Sequence, residues 1–244
     1  MKLKDEGFGA YINGIHTFKD LGLVTGNNDV VGEAEVMTNY VTVPGSNKRI
    51  DLTESITGYV PYERRELKFE LGTKTDRVKW PILVRKISNI FHGRKVKVIL
   101  DSEPDYYFEG RAKVKDTDRS TKICTCLMEI DCDPYKYDRF SSLEDWEWDS
   151  FNFETGVIRD SYKDIKVAGN TVQKFIEGSA MPVTLKCIVS NVTGSANFVA
   201  CNGKAYSLKE GENRFPDVLI GEEGVDLYFT GTYTVSINYR GGSL

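Results

Sequence analysis

Apolar and polar residues alternate with period two along several stretches of the chain, a pattern that predicts strands with one buried face. In RRELKFEL, Leu67, Phe69 and Leu71 alternate with Glu66, Lys68 and Glu70, describing a half-buried strand with a charged outer face. ICTCLMEIDC puts Cys124, Cys126, Met128, Ile130 and Cys132 on one face, and VTLKCIV does the same with Val183, Leu185, Cys187 and Val189. KVKVIL and YYFEGRAKVK predict two more strands. Near the end Val225, Leu227 and Phe229 alternate, and then Tyr233, Val235, Ile237 and Tyr239. One segment has the helical period instead. In WPILVRKISNIFHG, Leu83, Val84, Ile87, Ile90 and Phe91 form one apolar stripe while Arg85, Lys86 and Asn89 face away. Pro81 suits the first turn of this helix and Gly93 supplies a left-handed stop.

Turn chemistry separates these elements. Asn13-Gly14 after Phe8 to Ile12 is a hairpin signal, because both residues tolerate positive φ. Glycine and asparagine crowd between Gly22 and Gly32, which predicts a long exposed loop. Val41 to Val43 runs into the turn Pro44-Gly45-Ser46-Asn47 and on to Arg49-Ile50-Asp51-Leu52. The character of the chain changes after Asp131-Cys132-Asp133-Pro134-Tyr135, where KYDRFSSLEDWEWDSFNFETG is aromatic, acidic and poor in aliphatics. A domain boundary is therefore expected between Pro134 and Trp146, giving domains 1–138 and 139–244. Beyond it, strands at sandwich-like spacing predict an antiparallel β-sandwich without a helix.

Composition sharpens this picture. The 244 residues include eight alanines against 22 glycines and 13 tyrosines, a balance that favours strands and tight turns over helical bundles. The net charge is 32 − 36 = −4. Up to Asp138 there are 22 basic and 22 acidic residues, so the remaining 10 basic and 14 acidic residues carry the whole deficit. That distribution argues against a nucleic-acid partner, which favours a concentrated basic face. The start, MKLKDEGFGAYING, has no apolar signal core, and no run approaches the ~20 apolar residues of a membrane span. Synthesis in the cytoplasm and no membrane partner are the expectations, and Asn191-Val192-Thr193 then reads as an ordinary polar turn.

Five cysteines, an odd number, speak against a closed disulfide framework. Cys124, Cys126 and Cys132 lie on a core face, as does Cys187, and Cys201 sits by a turn, so no metal site is expected. His16 and His92 are isolated in sequence. His92 precedes Gly93 at the helix end and is expected to interact with the helix dipole. His16 follows the Asn13-Gly14 turn as a loop or strand-start residue. No nucleophile motif accompanies either, so neither a catalytic set nor a cofactor is expected. Asp101, Glu103 and Asp105 lack the glycine and closing glutamate of a calcium loop and read as a turn. Arg85, Lys86, Arg94, Lys95 and Lys97 around the helix end read as a solvated face or a subunit contact.

Glu144, Asp145, Glu147 and Asp149 are the acidic residues that a glycoside hydrolase reading would use, and Trp146 and Trp148 are candidate sugar-stacking platforms. Alternation puts the two tryptophans on one face and Asp145, Glu147 and Asp149 on the other. An amphipathic strand or linker packed against a domain is the simpler reading. Trp146 and Trp148 nevertheless remain the candidate carbohydrate contacts of an alternative function, a carbohydrate-binding module for host-surface adhesion.

Taken in order, Gly7-Phe8, VPGSNKRIDLTESITG, YERRELKFEL, the helix with ISNIFHGRKVKVILD, DYYFEGRAKV, EIDCDPYKYD, WDSFNFETGV and the terminal YRGGSL resemble the distal tail (Dit) proteins of long-tailed phages and prophages. The resemblance is collinear over essentially the whole chain. It implies a mainly β fold: an N-terminal β-sandwich-like domain with one α-helix and a β-hairpin, then a C-terminal galectin-like β-sandwich. It also implies a non-enzymatic baseplate hub in the virion tail, six copies to a ring. The implied partners are the tail tube protein, a tail tip or tail-associated lysin protein, and a receptor-binding protein. The second domain contains no histidine, so a sugar site built on histidine, arginine and tryptophan is not formed there.

Overall fold

The computed structural model describes residues 9–25, 30–74, 78–119, 124–144 and 161–244. They form two compact units, one running to Lys136 and including Leu244, the other Tyr137–Ser243. Trp146 and Trp148, with Asp145, Glu147 and Asp149, lie outside the described residues.

The Asn13-Gly14 turn joins strands Ala10–Ile12 (β1) and Ile15–His16 (β2), with Ile12 opposite Ile15. Asn13 and Gly14 have φ of 50° and 80°, the pair of left-handed conformations that a two-residue hairpin of the right twist requires. Val24–Thr25 (β3) and Val30–Val31 (β4) follow, then Tyr40–Thr42 (β5), Arg49–Asp51 (β6) and Arg65–Thr73 (β7). Helix α1 spans Trp80–Phe91, and Lys95–Leu100 (β8), Glu103–Arg119 (β9) and Cys124–Cys132 (β10) complete the unit. The main sheet is antiparallel in the order β2-β1-β8-β9-β10-β7-β3, with β4 also on β7.

Residue alternation decides the faces. β10 buries all five of Cys124, Cys126, Met128, Ile130 and Cys132. Its register sets Met128 between Phe69 of β7 and Val114 of β9, and Ile130 between Leu67 and Ala112. Each large side chain fully buried in this way stabilises the fold by about 1.5–3 kcal/mol. The amphipathic α1 adds Trp80, Ile87 and Phe91 to this core. It ends as its sequence predicts, with Gly93 at φ 74°. The helix exit is tied to β9: Gly93 N–H donates to Ala112 O at 2.8 Å, and Arg111 Nη1 donates to Gly93 O at 2.6 Å.

Three local expectations are corrected. The Gly22 to Gly32 stretch is not simply an exposed loop, since Leu23 is fully buried and β3 and β4 both pair with β7. Two-residue strands carry too short a pattern to be read, and here the free edge of β7 selects them. His92 does more than face the helix dipole, because its Nδ1 accepts the Val114 N–H at 3.0 Å. His16 is no loop residue; it closes β2 and is buried.

The second unit contains Lys136–Asp138 (β11, whose first residue belongs to the first unit), Ile165–Ala168 (β12), Val172–Ile176 (β13), Val183–Ser190 (β14), Ala196–Ala200 (β15), Ala205–Ser207 (β16), Gly211–Ile220 (β17), Val225–Ile237 (β18) and Gly242–Ser243 (β19). Two antiparallel sheets share one strand. The first half of β18 lies between β13 and β15, with β16 beyond β15; its second half lies between β12 and β14, with β17 beyond β14. The sequence pattern separates Val225 to Phe229 from Tyr233 to Tyr239, and the two runs prove to be one strand that changes partners at Gly231. Gly231 has φ 121°, and a Cβ there would collide with Ser195 O. Leu185, Cys187, Val189, Phe198, Leu227, Phe229, Val235 and Ile237 fill the core between the sheets.

Candidate assembly surface

Between Val36 and Tyr62, which form an isolated bridge, the chain builds an arm. Among the described residues β5 and β6 pair only with each other, Val41 opposite Ile50 and Tyr40 opposite Asp51. The connecting turn is held by Ser46 N–H to Val43 O and by Lys48 N–H to Ser46 Oγ. Asp51 Oδ1 accepts both the backbone and the hydroxyl of Thr53, at 2.9 and 2.5 Å, which holds its carboxyl below the ordinary carboxylate range. From Glu35 to Tyr59 every residue is exposed except Leu52 and Thr53, which are half-buried.

The exposed positions are rich in apolar side chains. Val41 and Ile50 share one face of the hairpin and Tyr40 lies on the other, while Val36, Met37, Val43 and Tyr59 are also exposed, and Ile56 is 87% exposed. A two-stranded hairpin is marginal in water by itself, and so many exposed apolar side chains on one arm make it a candidate interaction surface.

At the arm's root Arg64 forms a fork. Its Nε and Nη1 donate to Asp131 Oδ1 and Asp133 Oδ1 at 2.9 and 2.8 Å, and its Nη2 donates to Asp131 O at 2.7 Å. The hydrogen bond to Asp131 leads the effects that raise the guanidinium's already high pKa. Tyr62 meets Tyr135 edge-on with ring centroids 5.7 Å apart. The free hairpin thus springs from an anchored base. Sequence reasoning found the turn and its two flanking segments; their pairing as a hairpin exposed on both faces is what it missed. The sequence offered no signal of it, since Val41 and Val43 alternate with Thr42 as they would in a half-buried strand.

The first unit also holds a cavity of about 450 Å³, lined in part by Glu33, Arg65, Ser102, Glu103, Phe108 and Lys136. Arg65 is 6% exposed, its Nε has no hydrogen-bond partner among the described residues, and its guanidinium lies over the Phe108 ring. Burial lowers its pKa, against the fields of Cys132, Glu103 and Glu33. Lys136 pairs with Glu103 at 3.0 Å. The lining thus sets the cations of Arg65 and Lys136 beside the carboxylates of Glu33 and Glu103.

The remaining candidates have structural tasks. Glu144 accepts the Ser141 N–H at 2.6 Å and approaches Arg240. Asp101 bonds His16, and Glu103 bonds Lys136. Burial pushes the Cys132 and Cys187 thiols up to about 12, so both are protonated at neutral pH. Among the described residues no group of three or more His, Cys, Asp and Glu is arranged to hold a metal ion, and no helix is long and apolar enough to cross a membrane.

No protein-family model matches the sequence, and no curated protein matches it. A solved structure does: the SPP1 Dit (gp 19.1) protein, described as a paradigm of the hub adsorption apparatus in phages infecting Gram-positive bacteria. It is similar over 96% of this chain and 98% of its own, with a TM-score of 0.57 and 12% identity. The chain has a Dit-like fold. The likeness extends over both units and is not confined to one sheet.

Proposed function

We propose that this protein is a structural component of a phage or prophage tail, a distal tail hub whose copies close into a hexameric ring between the tail tube and the tip or adsorption apparatus. The observation that carries the reading is the arm, an anchored hairpin whose apolar side chains, Val41 and Ile50 on one face and Tyr40 on the other, are exposed and find no cover among the described residues. A second copy supplies that cover when the arm of each subunit lies on a different surface of the next. Such heterologous contacts close by rotation. The Dit-like fold supports the tail assignment, and the protein acts there without catalysing a reaction. The second unit serves as a galectin-like outer module, and the ring's two rims meet the tube protein on one side and a tip, lysin or receptor-binding protein on the other.

Native mass spectrometry of the purified protein tests this directly. Sixfold assemblies are expected, alone or with the tube protein, and Val41→Asp with Ile50→Asp should abolish them while leaving circular dichroism unchanged. A protein that is strictly monomeric at high concentration, and remains so with its tube partner, overturns the reading.

A further inference from the structure

The outward side of α1 combines exposed aliphatic and basic side chains. Ile82, Arg85, Lys86 and Asn89 are all exposed and fall within roughly 100° of arc at the helical pitch. Val78, just before the helix, is 83% exposed and Ile82 is 60% exposed. No acidic residue occurs in the helix, and none lies in its first turn. Three lysines of the β7–β10 strands, by contrast, are paired with carboxylates: Lys95 with Glu109, Lys115 with Glu129 and Lys68 with Glu66. Arg85, Lys86 and Arg94 have no ion-pair partner among the described residues. The face therefore runs from an apolar end at Val78 and Ile82 to an unpaired basic end.

The second unit carries the complementary arrangement. On the outer face of the β13–β18 ladder, Phe175 lies opposite Asp226 and Gln173 opposite Tyr228. Phe175 is 50% exposed, and its ring covers the backbone at Gly224, where a Cβ would stand 2.6 Å from Phe175 Cζ. The turn it covers presents Glu222 and Glu223, both exposed and without an ion-pair partner among the described residues. Exposed aromatics beside free carboxylates match exposed aliphatics beside free cations.

We propose that the outward face of α1 docks on this Phe175, Tyr228, Glu222 and Glu223 surface of a second copy of the chain. The contact is heterologous, since it joins two different surfaces. Residues 36–59 take no part in it, so it stands beside the arm contact and does not rest on it. Opposite charges steer the encounter and fix its register, and the apolar residues supply the area removed from water.

Charge reversal with rescue tests the pairing. Sedimentation velocity at low ionic strength, where charges are least screened, compares the wild type with R85E/K86E, E222K/E223K and the quadruple variant. The same set is measured in the V41D/I50D background, which removes the arm contact. Each double reversal should weaken self-association about tenfold or more, and the quadruple variant should restore it, in both backgrounds. Association unchanged by either reversal, a quadruple variant no tighter than the doubles, or no self-association in the V41D/I50D background overturns the inference. Failure of the ring shows separately, as the loss of sixfold species.

Discussion

Nε2 of His16 stands 3.0 Å from Oδ2 of Asp101, joining the first hairpin to the turn after β8. The other ring nitrogen, Nδ1, accepts the N–H groups of Phe18 and Lys19 at 3.0 and 3.1 Å. Two backbone donors on Nδ1 leave the proton on Nε2, from which it is donated to Asp101. Asp20 Oδ2 accepts the His16 N–H at 2.7 Å, completing a polar knot around a buried ring. Nitrogen-15 NMR should find His16 as the Nε2–H tautomer. His16→Ala should cost about 2 to 3 kcal/mol in urea unfolding, because two backbone donors lose their acceptor, while Asp101→Asn, which keeps an acceptor oxygen, should cost about 1 kcal/mol. An Nδ1–H tautomer would contradict this network.

Gly231 allows β18 to change partners. Its φ of 121° and the closeness of Ser195 O to the place a methyl group would occupy exclude any side chain without backbone movement. Gly231→Ala should destabilise by about 3 kcal/mol or more in chemical denaturation, and Gly231→Val by more still. A neutral Gly231→Ala would mean that the strand can slide past the clash.

Thiol accessibility separates the cysteines. Cys201 is exposed, and Cys124, Cys126, Cys132 and Cys187 are buried and free. Native protein treated with iodoacetamide at neutral pH should gain one adduct by mass, at Cys201, and denatured protein five. Fast native labelling of Cys132 or Cys187 would be incompatible with thiols raised to about 12 by burial.

In the second unit Asp217 receives the Lys204 ammonium and, at 2.9 Å, the Tyr206 hydroxyl. The hydrogen bond from Lys204, followed by that from Tyr206, lowers its pKa below the ordinary 3.8. A carboxyl whose folded pKa is depressed contributes stability above its unfolded pKa, and that contribution is lost as pH falls through the folded value. NMR titration should therefore place the Asp217 midpoint below 3.8, and Lys204→Ala should move it upward.

Arg65 gives the opposite kind of test. A buried guanidinium without a partner for Nε carries a desolvation cost that no ion pair returns. Arg65→Met keeps the aliphatic stem over Phe108 and removes the charge, and should leave stability unchanged or raise it by about 1 kcal/mol in thermal unfolding. A loss of several kcal/mol would show that the charge is paired in solution.

Much of this architecture is legible in the sequence wherever one face of an element is buried along its whole length. The cysteine strand, RRELKFEL, the helix and the Asn13-Gly14 hairpin follow directly from period and turn chemistry. The stripe of α1 extends one turn further back than Leu83, to the fully buried Trp80, a position that its spacing to Val84 and Ile87 already allowed. Other features depend on distant partners. His16 is buried because Asp101 is brought to it across 85 residues. Leu23 is buried because β7 has an edge to spare. The arm's exposure belongs to the same class, for Val41 and Ile50 look like core residues, yet no described residue covers them.

β18 has a wider consequence. Since each sheet of the second unit has part of the same strand in its interior, neither sheet can melt while leaving the other a complete hydrogen-bond ladder. Thermal fluctuations large enough to open one half must strain the shared backbone at Gly231, which couples the two halves into a single cooperative foldon. Amide hydrogens on both sides of Gly231 should exchange with one common free energy, and a pulling force entering at either layer is carried through the other before anything yields.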